Sequence, residues 1–138
     1  MKIELEQGYI PSEKEEYMNP KQLEYFKQKL LEWKNTLLDE AQETLQHLKE
    51  EKLNEPDPTN RAVAEMDIAS ELRTRDRYRK LIAKIETALK RIDEGTYGYC
   101  EETGDPIGIK RLEARPVATL CISAQERHEK HEKLYNEE

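Results

Sequence analysis

The chain is short of the material from which most compact cores and most catalysts are built. Its 138 residues include one Phe, one Trp, two Cys and five Gly. Charged residues make up 38% and hydrophobic ones 36%, with a mean hydropathy of −1.03. Such a composition excludes a compact sphere with a large core. The apolar residues recur too regularly for a disordered chain, and long thin helices account for both facts. No apolar run approaches the roughly 20 residues needed to span a bilayer, so no membrane role is expected. The first residues, "MKIELEQGYIPSEKEEYMNP", lack the hydrophobic stretch of a signal peptide. A cytoplasmic location and reduced cysteines are therefore expected. No nucleophile–base pair, phosphate-cradling glycine loop or HExxH motif supports an independent enzyme. The net charge of −7 disfavours direct DNA binding, because a phosphate backbone repels it.

Helix signals are plentiful. Asn19 is a cap candidate, and Pro20 sits at the first helical position, where its missing N–H costs nothing. Apolar residues then recur at Leu23, Phe26, Leu30, Trp33 and Leu37, the spacing of a heptad seam. It resumes at Ala41, Leu45 and Leu48 after a stutter. Pro56 and Pro58 break the helix within "LNEPDPTNRA", a segment of hairpin-tip length. A second helix is predicted from about Pro58 to Glu94, with its seam at Ala62, Met66, Ala69, Leu72, Tyr78, Leu81, Ile85, Leu89 and Ile92. Gly95 ends it.

The fold class expected is mainly α: a long antiparallel coiled-coil hairpin, a small zinc-finger-like globular module and a C-terminal helix. The divisions are an arm over 1–19 packing on the globular part, the hairpin over 20–95 with its tip at 54–62, the module over 96–124, and a helix and tail over 125–138. Two β-prone pieces, "PIGIKRLE" and "VATLCI", flank the module's turns, and Ser123 is a cap candidate for the last helix.

Two features carry chemistry. Between Arg73 and Arg91 positive residues crowd an otherwise acidic chain, either as a solvated helix face or as a docking stripe. Cys100 and Cys121 have the spacing of a C-x2-C-x17-C-x2-C zinc signature with Thr103 and Ala124 in place of its second and fourth thiolates. Neither replacement supplies a thiolate, so zinc is not expected and packing is expected to hold the module. A Cys2His2 site would need His128 and His131, three apart on one helix face, to join Cys100 and Cys121.

The stretches "EEYMNPKQLEYF", "PDPTNRA", "ELRTRDRYRKLIAKIE" and "YGYC…IGI.RLEARP.A.LCI" resemble the DksA/TraR family of bacterial RNA polymerase-binding regulators. The resemblance covers most of residues 15–135. It implies a protein that inserts its coiled-coil tip into the secondary channel of RNA polymerase without touching DNA. There it destabilises open complexes, lowering ribosomal RNA promoters and raising amino-acid biosynthesis promoters. It acts with ppGpp, a co-regulator at the polymerase interface, in the stringent response.

Residue by residue, the resemblance assigns Asp57, Asn60 and Ala62 to the tip, with Asn60 standing where the family has a second acid. It assigns Arg73, Arg77, Leu81, Lys84 and Arg115 to polymerase docking and ppGpp binding. The family's lysine after the last zinc position is Gln125 here, so weaker ppGpp synergy is expected. Asp57 also has a plainer reading as the cap of the second helix, with Pro58 following it. Two other functions fit parts of the pattern. A transcript-cleavage factor would need paired acids at the tip to hold magnesium, and Asn60 breaks that pair. A structural dimer would use the seam between chains. The proline-rich turn lets one chain satisfy its own seam, so a monomer is expected.

Overall fold

The computed structural model describes residues 3–53 and 58–136, with side chains for 3–47 and 61–135. Four helices follow in order: α1 (Pro20–Leu53), α2 (Pro58–Glu94), α3 (Ile109–Ala114) and α4 (Ile122–Asn136). Among the described residues, extended structure is limited to one isolated antiparallel bridge between Tyr99 and Pro106. The two β-prone pieces are therefore not strands. "PIGIKRLE" contains α3, and α4 begins on Ile122, so Ser123 lies inside its first turn rather than capping it. The chain forms two compact units, Met1–Leu30 with Thr87–Glu138, and Leu31–Glu86.

In the unit Leu31–Glu86 the two helical segments run antiparallel. Lys34 on α1 pairs with Glu86 on α2 at 3.3 Å, and His47 pairs with Glu71 at 3.2 Å. The partner recedes along α2 as α1 advances, which only opposite chain directions allow. Leu37 and Ile85 are buried here.

The α2 seam follows the expected one at Ala69, Tyr78, Leu81, Ile85, Leu89 and Ile92 and departs from it at Ala62, Met66 and Leu72. Met66 is 73% exposed and Leu72 is 47% exposed. The less exposed positions include Ala64, Ile68, Glu71, Arg75, Tyr78, Ile82 and Ile85, which alternate by four and three steps, with Ala69, Thr74 and Leu81 beside them. Two charged residues occupy this inward stripe. Counting apolar residues alone therefore shifts the phase of the seam in the first half of the helix.

The other unit is organised around the start of α1. The Asn19 side-chain oxygen accepts from the Gln22 amide at 2.9 Å. The Gln22 side chain reaches back and accepts from the Met18 amide at 2.7 Å. This is a variant of the capping box, in which Gln22 reaches the residue before the cap while the Asn19 amide donates to the Glu16 carbonyl at 3.3 Å. Gln22 is fully buried, and its amide nitrogen also donates to the Ser12 carbonyl, tying the arm to the helix start.

Met18 takes the uncommon left-handed backbone at φ 53° and packs against Gly98. A Cβ added at Gly98 would lie 2.8 Å from Met18 Cγ and Sδ, so glycine is what lets the two segments approach. The Tyr17 hydroxyl donates to the Gly98 carbonyl at 2.6 Å and accepts from the Gly108 amide at 3.0 Å. Phe26, Leu30, Tyr97, Ile107, Ile109 and Leu112 are buried in this unit, and the Phe26 and Tyr97 rings meet at 5.7 Å. Tyr97 keeps its polar end satisfied by donating to the Pro116 carbonyl at 2.8 Å.

Candidate functional site

Two surfaces concentrate the residues singled out by sequence. The first is the outward side of α2. Arg73, Arg77, Lys80 and Lys84 are all exposed, and their 4, 3, 4 spacing places them on one helix face. Lys80 pairs with Asp76 at 3.2 Å. Arg73, Arg77 and Lys84 have no hydrogen-bond or ion-pair partner among the described residues. Leu81 is half-buried beside them. Their charges are not neutralised locally, which suits the face to an acidic or phosphorylated partner.

Arg115 lies in the other unit, exposed, just past α3. Its backbone is fixed from both sides: its amide donates to the Arg111 carbonyl at 2.8 Å, and its carbonyl accepts from Ala118 at 3.0 Å. Lys29 reaches from α1 to the same turn, bonding both the Glu113 backbone carbonyl and its carboxylate at 3.0 Å. Tyr25 lies under this pair. Burial, then the hydrogen bond and charge of Glu113, push its hydroxyl up to about 12. Sequence reasoning missed Lys29 and Glu113, because nothing in local spacing links positions 84 residues apart.

Of the tip residues, Asp57 lies outside the described residues. Asn60 falls in the first turn of α2, and Ala62 is exposed on the same helix.

The second surface is the cysteine corner. Cys100, Cys121 and Ala124 are buried together, with Leu120 packed against them. Thr103 Oγ1 stands 3.8 Å from Cys121 Sγ. Two thiolates bound to one zinc at ~2.3 Å in a tetrahedron are also about 3.8 Å apart. Two of the four positions thus keep the separation of zinc-bound donors, while the donors have changed. The corner offers two thiols, one hydroxyl and one fully buried methyl group, and that set does not fit tetrahedral zinc.

Among the described residues no three His, Cys, Asp or Glu side chains converge on a metal position. The Cys2His2 alternative is not assembled. His128 is paired with Glu102, and the His131 ring rests 6.4 Å from that of Tyr135. Ser123, not expected as a cysteine partner, places its hydroxyl 3.3 Å from Cys121 Sγ. Hydrogen bonding from Thr103 pulls the Cys100 thiol down to about 6, against the opposing effect of burial. Gln125 is half-buried, and its side chain is engaged with Glu129 at 3.3 Å.

Comparison with known proteins bears on both surfaces. Residues 22–92 match the family described as DnaK suppressor protein DksA, N-terminal domain. Residues 95–130 match the prokaryotic dksA/traR C4-type zinc finger. The RNA polymerase-binding transcription factor DksA of Caulobacter vibrioides is 58% identical over 130 residues, covering 94% of this chain and 92% of that protein. The protein of the same name from Escherichia coli K12 is 50% identical over 111 residues, covering 80% and 74%. Among solved structures, transcription factor DksA2 from Pseudomonas aeruginosa superposes with a TM-score of 0.80 at 39% identity, covering 85% of this chain and 90% of that one.

Proposed function

This chain belongs to the DksA/TraR family, and from that premise we propose that it binds RNA polymerase directly and regulates transcription without contacting DNA. The observation that carries the reading is the 58% identity to a polymerase-binding relative across 94% of the chain. The match runs through the helical pair and the cysteine module alike. The role is that of a regulator rather than an enzyme.

The finer reading is that the tip, with Asp57, Asn60 and Ala62, enters the secondary channel toward the active centre. Arg73, Arg77, Leu81, Lys84 and Arg115 dock on the polymerase and help bind ppGpp. Support for this comes from the unneutralised cationic face of α2, which offers the donors that carboxylates and pyrophosphates require. Gln125 supplies no charge, so ppGpp strengthens the effect less than a lysine there would allow. The module keeps its shape by packing around Tyr97, Ile107, Ile109 and Leu112 rather than through zinc. The protein acts as a monomer in the cytoplasm.

The test is in vitro transcription with the cognate polymerase at a ribosomal RNA promoter. Asn caps a helix about as well as Asp, so Asp57→Asn is expected to fold and bind polymerase yet lose the regulatory effect. Full activity in that variant would leave Asp57 only a capping role. Absence of polymerase binding by the unaltered protein would overturn the reading itself.

A further inference from the structure

The cysteine corner has a coordination chemistry of its own. Cys100 and Cys121 come from segments separated by the whole of α3, and both are buried in one cluster. Thiolate ligands favour soft ions, copper(I) and zinc among them. Copper(I) is satisfied by two sulfurs, whereas zinc requires four donors. Two thiols buried in one cluster, with a hydroxyl and a methyl group in the remaining positions, are therefore mismatched to zinc and matched to copper(I).

The surroundings suit the charge that such binding creates. Exchange of two thiol protons for one copper(I) ion leaves a bis-thiolate complex with one net negative charge. No oxidant or reductant is consumed, and two protons go to solvent. That charge needs donors directed at the sulfurs, since a buried anion without them is costly. Cys121 sulfur has the Thr103 hydroxyl at 3.8 Å and the Ser123 hydroxyl at 3.3 Å. Both hydroxyls are thus placed at the Cys121 sulfur. The backbone around them is also braced: the Cys100 amide donates to Asp105 at 2.8 Å, Gly104 donates to the Cys100 carbonyl at 2.9 Å, and Gln125 donates to the Cys121 carbonyl at 3.0 Å.

We propose that Cys100 and Cys121 form a two-sulfur binding site for copper(I), on a scaffold that does not take zinc. The site is independent of polymerase binding, so either reading can fail alone.

The experiment is an anaerobic titration of the reduced full-length protein with copper(I) against bicinchoninate as competitor. One equivalent is expected to bind at least about tenfold more tightly to the folded chain than to the urea-unfolded chain, because the fold holds the two sulfurs together. Cys100→Ser and Cys121→Ser are each expected to lose the tight site, while His128→Ala keeps it. Copper(I) should raise the melting temperature of the unaltered protein by mass action, and X-ray absorption should report sulfur ligands only. An affinity no better than that of the unfolded chain would overturn the proposal. So would histidine among the ligands, displacement by equimolar zinc, or retention of the tight site in either serine variant.

Discussion

The double substitution Thr103→Cys with Ala124→Cys is the sharpest probe of the cysteine corner. Thr103 Oγ1 already lies 3.8 Å from Cys121 Sγ, about the distance between two sulfurs on one tetrahedral zinc. Ala124 is 0% exposed, and its methyl group touches the same cluster. The new sulfurs therefore enter positions next to the two existing ones.

The costs and the gain differ in scale. Adding a sulfur at a fully buried alanine costs about 1–3 kcal/mol through overpacking. Replacing the Thr103 hydroxyl loses its bond from the Asp105 amide, 3.2 Å away, worth about 0.5–1.5 kcal/mol. Structural zinc contributes roughly 10–16 kcal/mol of apparent binding free energy. The metal-free double variant should thus be less stable than the parent by about 1.5–4.5 kcal/mol, and the zinc-loaded form should be more stable than either.

Elemental analysis of the purified variant is expected to give one zinc per chain. Thermal melts with and without a strong chelator should differ by well over 10 °C, since each kcal/mol moves the midpoint of a chain this size by about 2–8 °C. The parent melt should not respond to chelator. A double variant that takes up no zinc, or that melts alike with and without chelator, would show that the four positions no longer converge.

Three further outcomes are expected. Arg73→Ala with Arg77→Ala should weaken polymerase binding about tenfold or more and flatten its dependence on salt, as expected for rim cations, measured by competition at several ionic strengths; an unchanged salt slope would remove these residues from the interface. Gly98→Ala should destabilise the unit containing residues 87–138 by about 1–3 kcal/mol in urea unfolding, because φ is +89° and the added carbon meets Met18 at 2.8 Å. Glu15 is held below its ordinary value of 4.5, first by the Tyr9 hydroxyl and then by Asn19. Its stabilisation is present above the ordinary carboxylate value and disappears as pH falls through the lowered one. Hydrogen exchange of residues 9–19 should therefore quicken in that acid window, and Tyr9→Phe should remove most of the pH dependence.

Local signals in the sequence located the helices well. Asn19–Pro20, the Pro56–Pro58 break and Gly95 bound α1 and α2 where the structure does, because caps and breakers act within a few residues. The α2 seam was less legible. Glu71 and Arg75 occupy inward positions, and a rule that equates inward with apolar passes over them. The module was harder still. "PIGIKRLE" has the β-branched residues of a strand, yet Gly108 begins a helix whose core contacts come from Ile109 and Leu112. Tertiary burial decides that segment, as it often does for short pieces. The four C4-type positions were visible from spacing alone. That Ser123 would approach Cys121 followed only from where α4 starts, one residue after that cysteine.

The Tyr17 hydroxyl spans 81 residues to Gly98 and 91 to Gly108. During synthesis the arm's partners do not yet exist when the arm emerges. At about 5–20 residues per second, the nascent chain waits roughly 5–20 s before Gly108 is made. Until then Tyr17 has no Tyr99, and Phe26 no Tyr97, to pack against. The helical pair closes through contacts nearer in sequence, and such contacts form faster than distant ones. The aromatic cluster is therefore assembled last on the ribosome, and a chain released before Gly108 would carry its aromatics uncovered to chaperones and proteases.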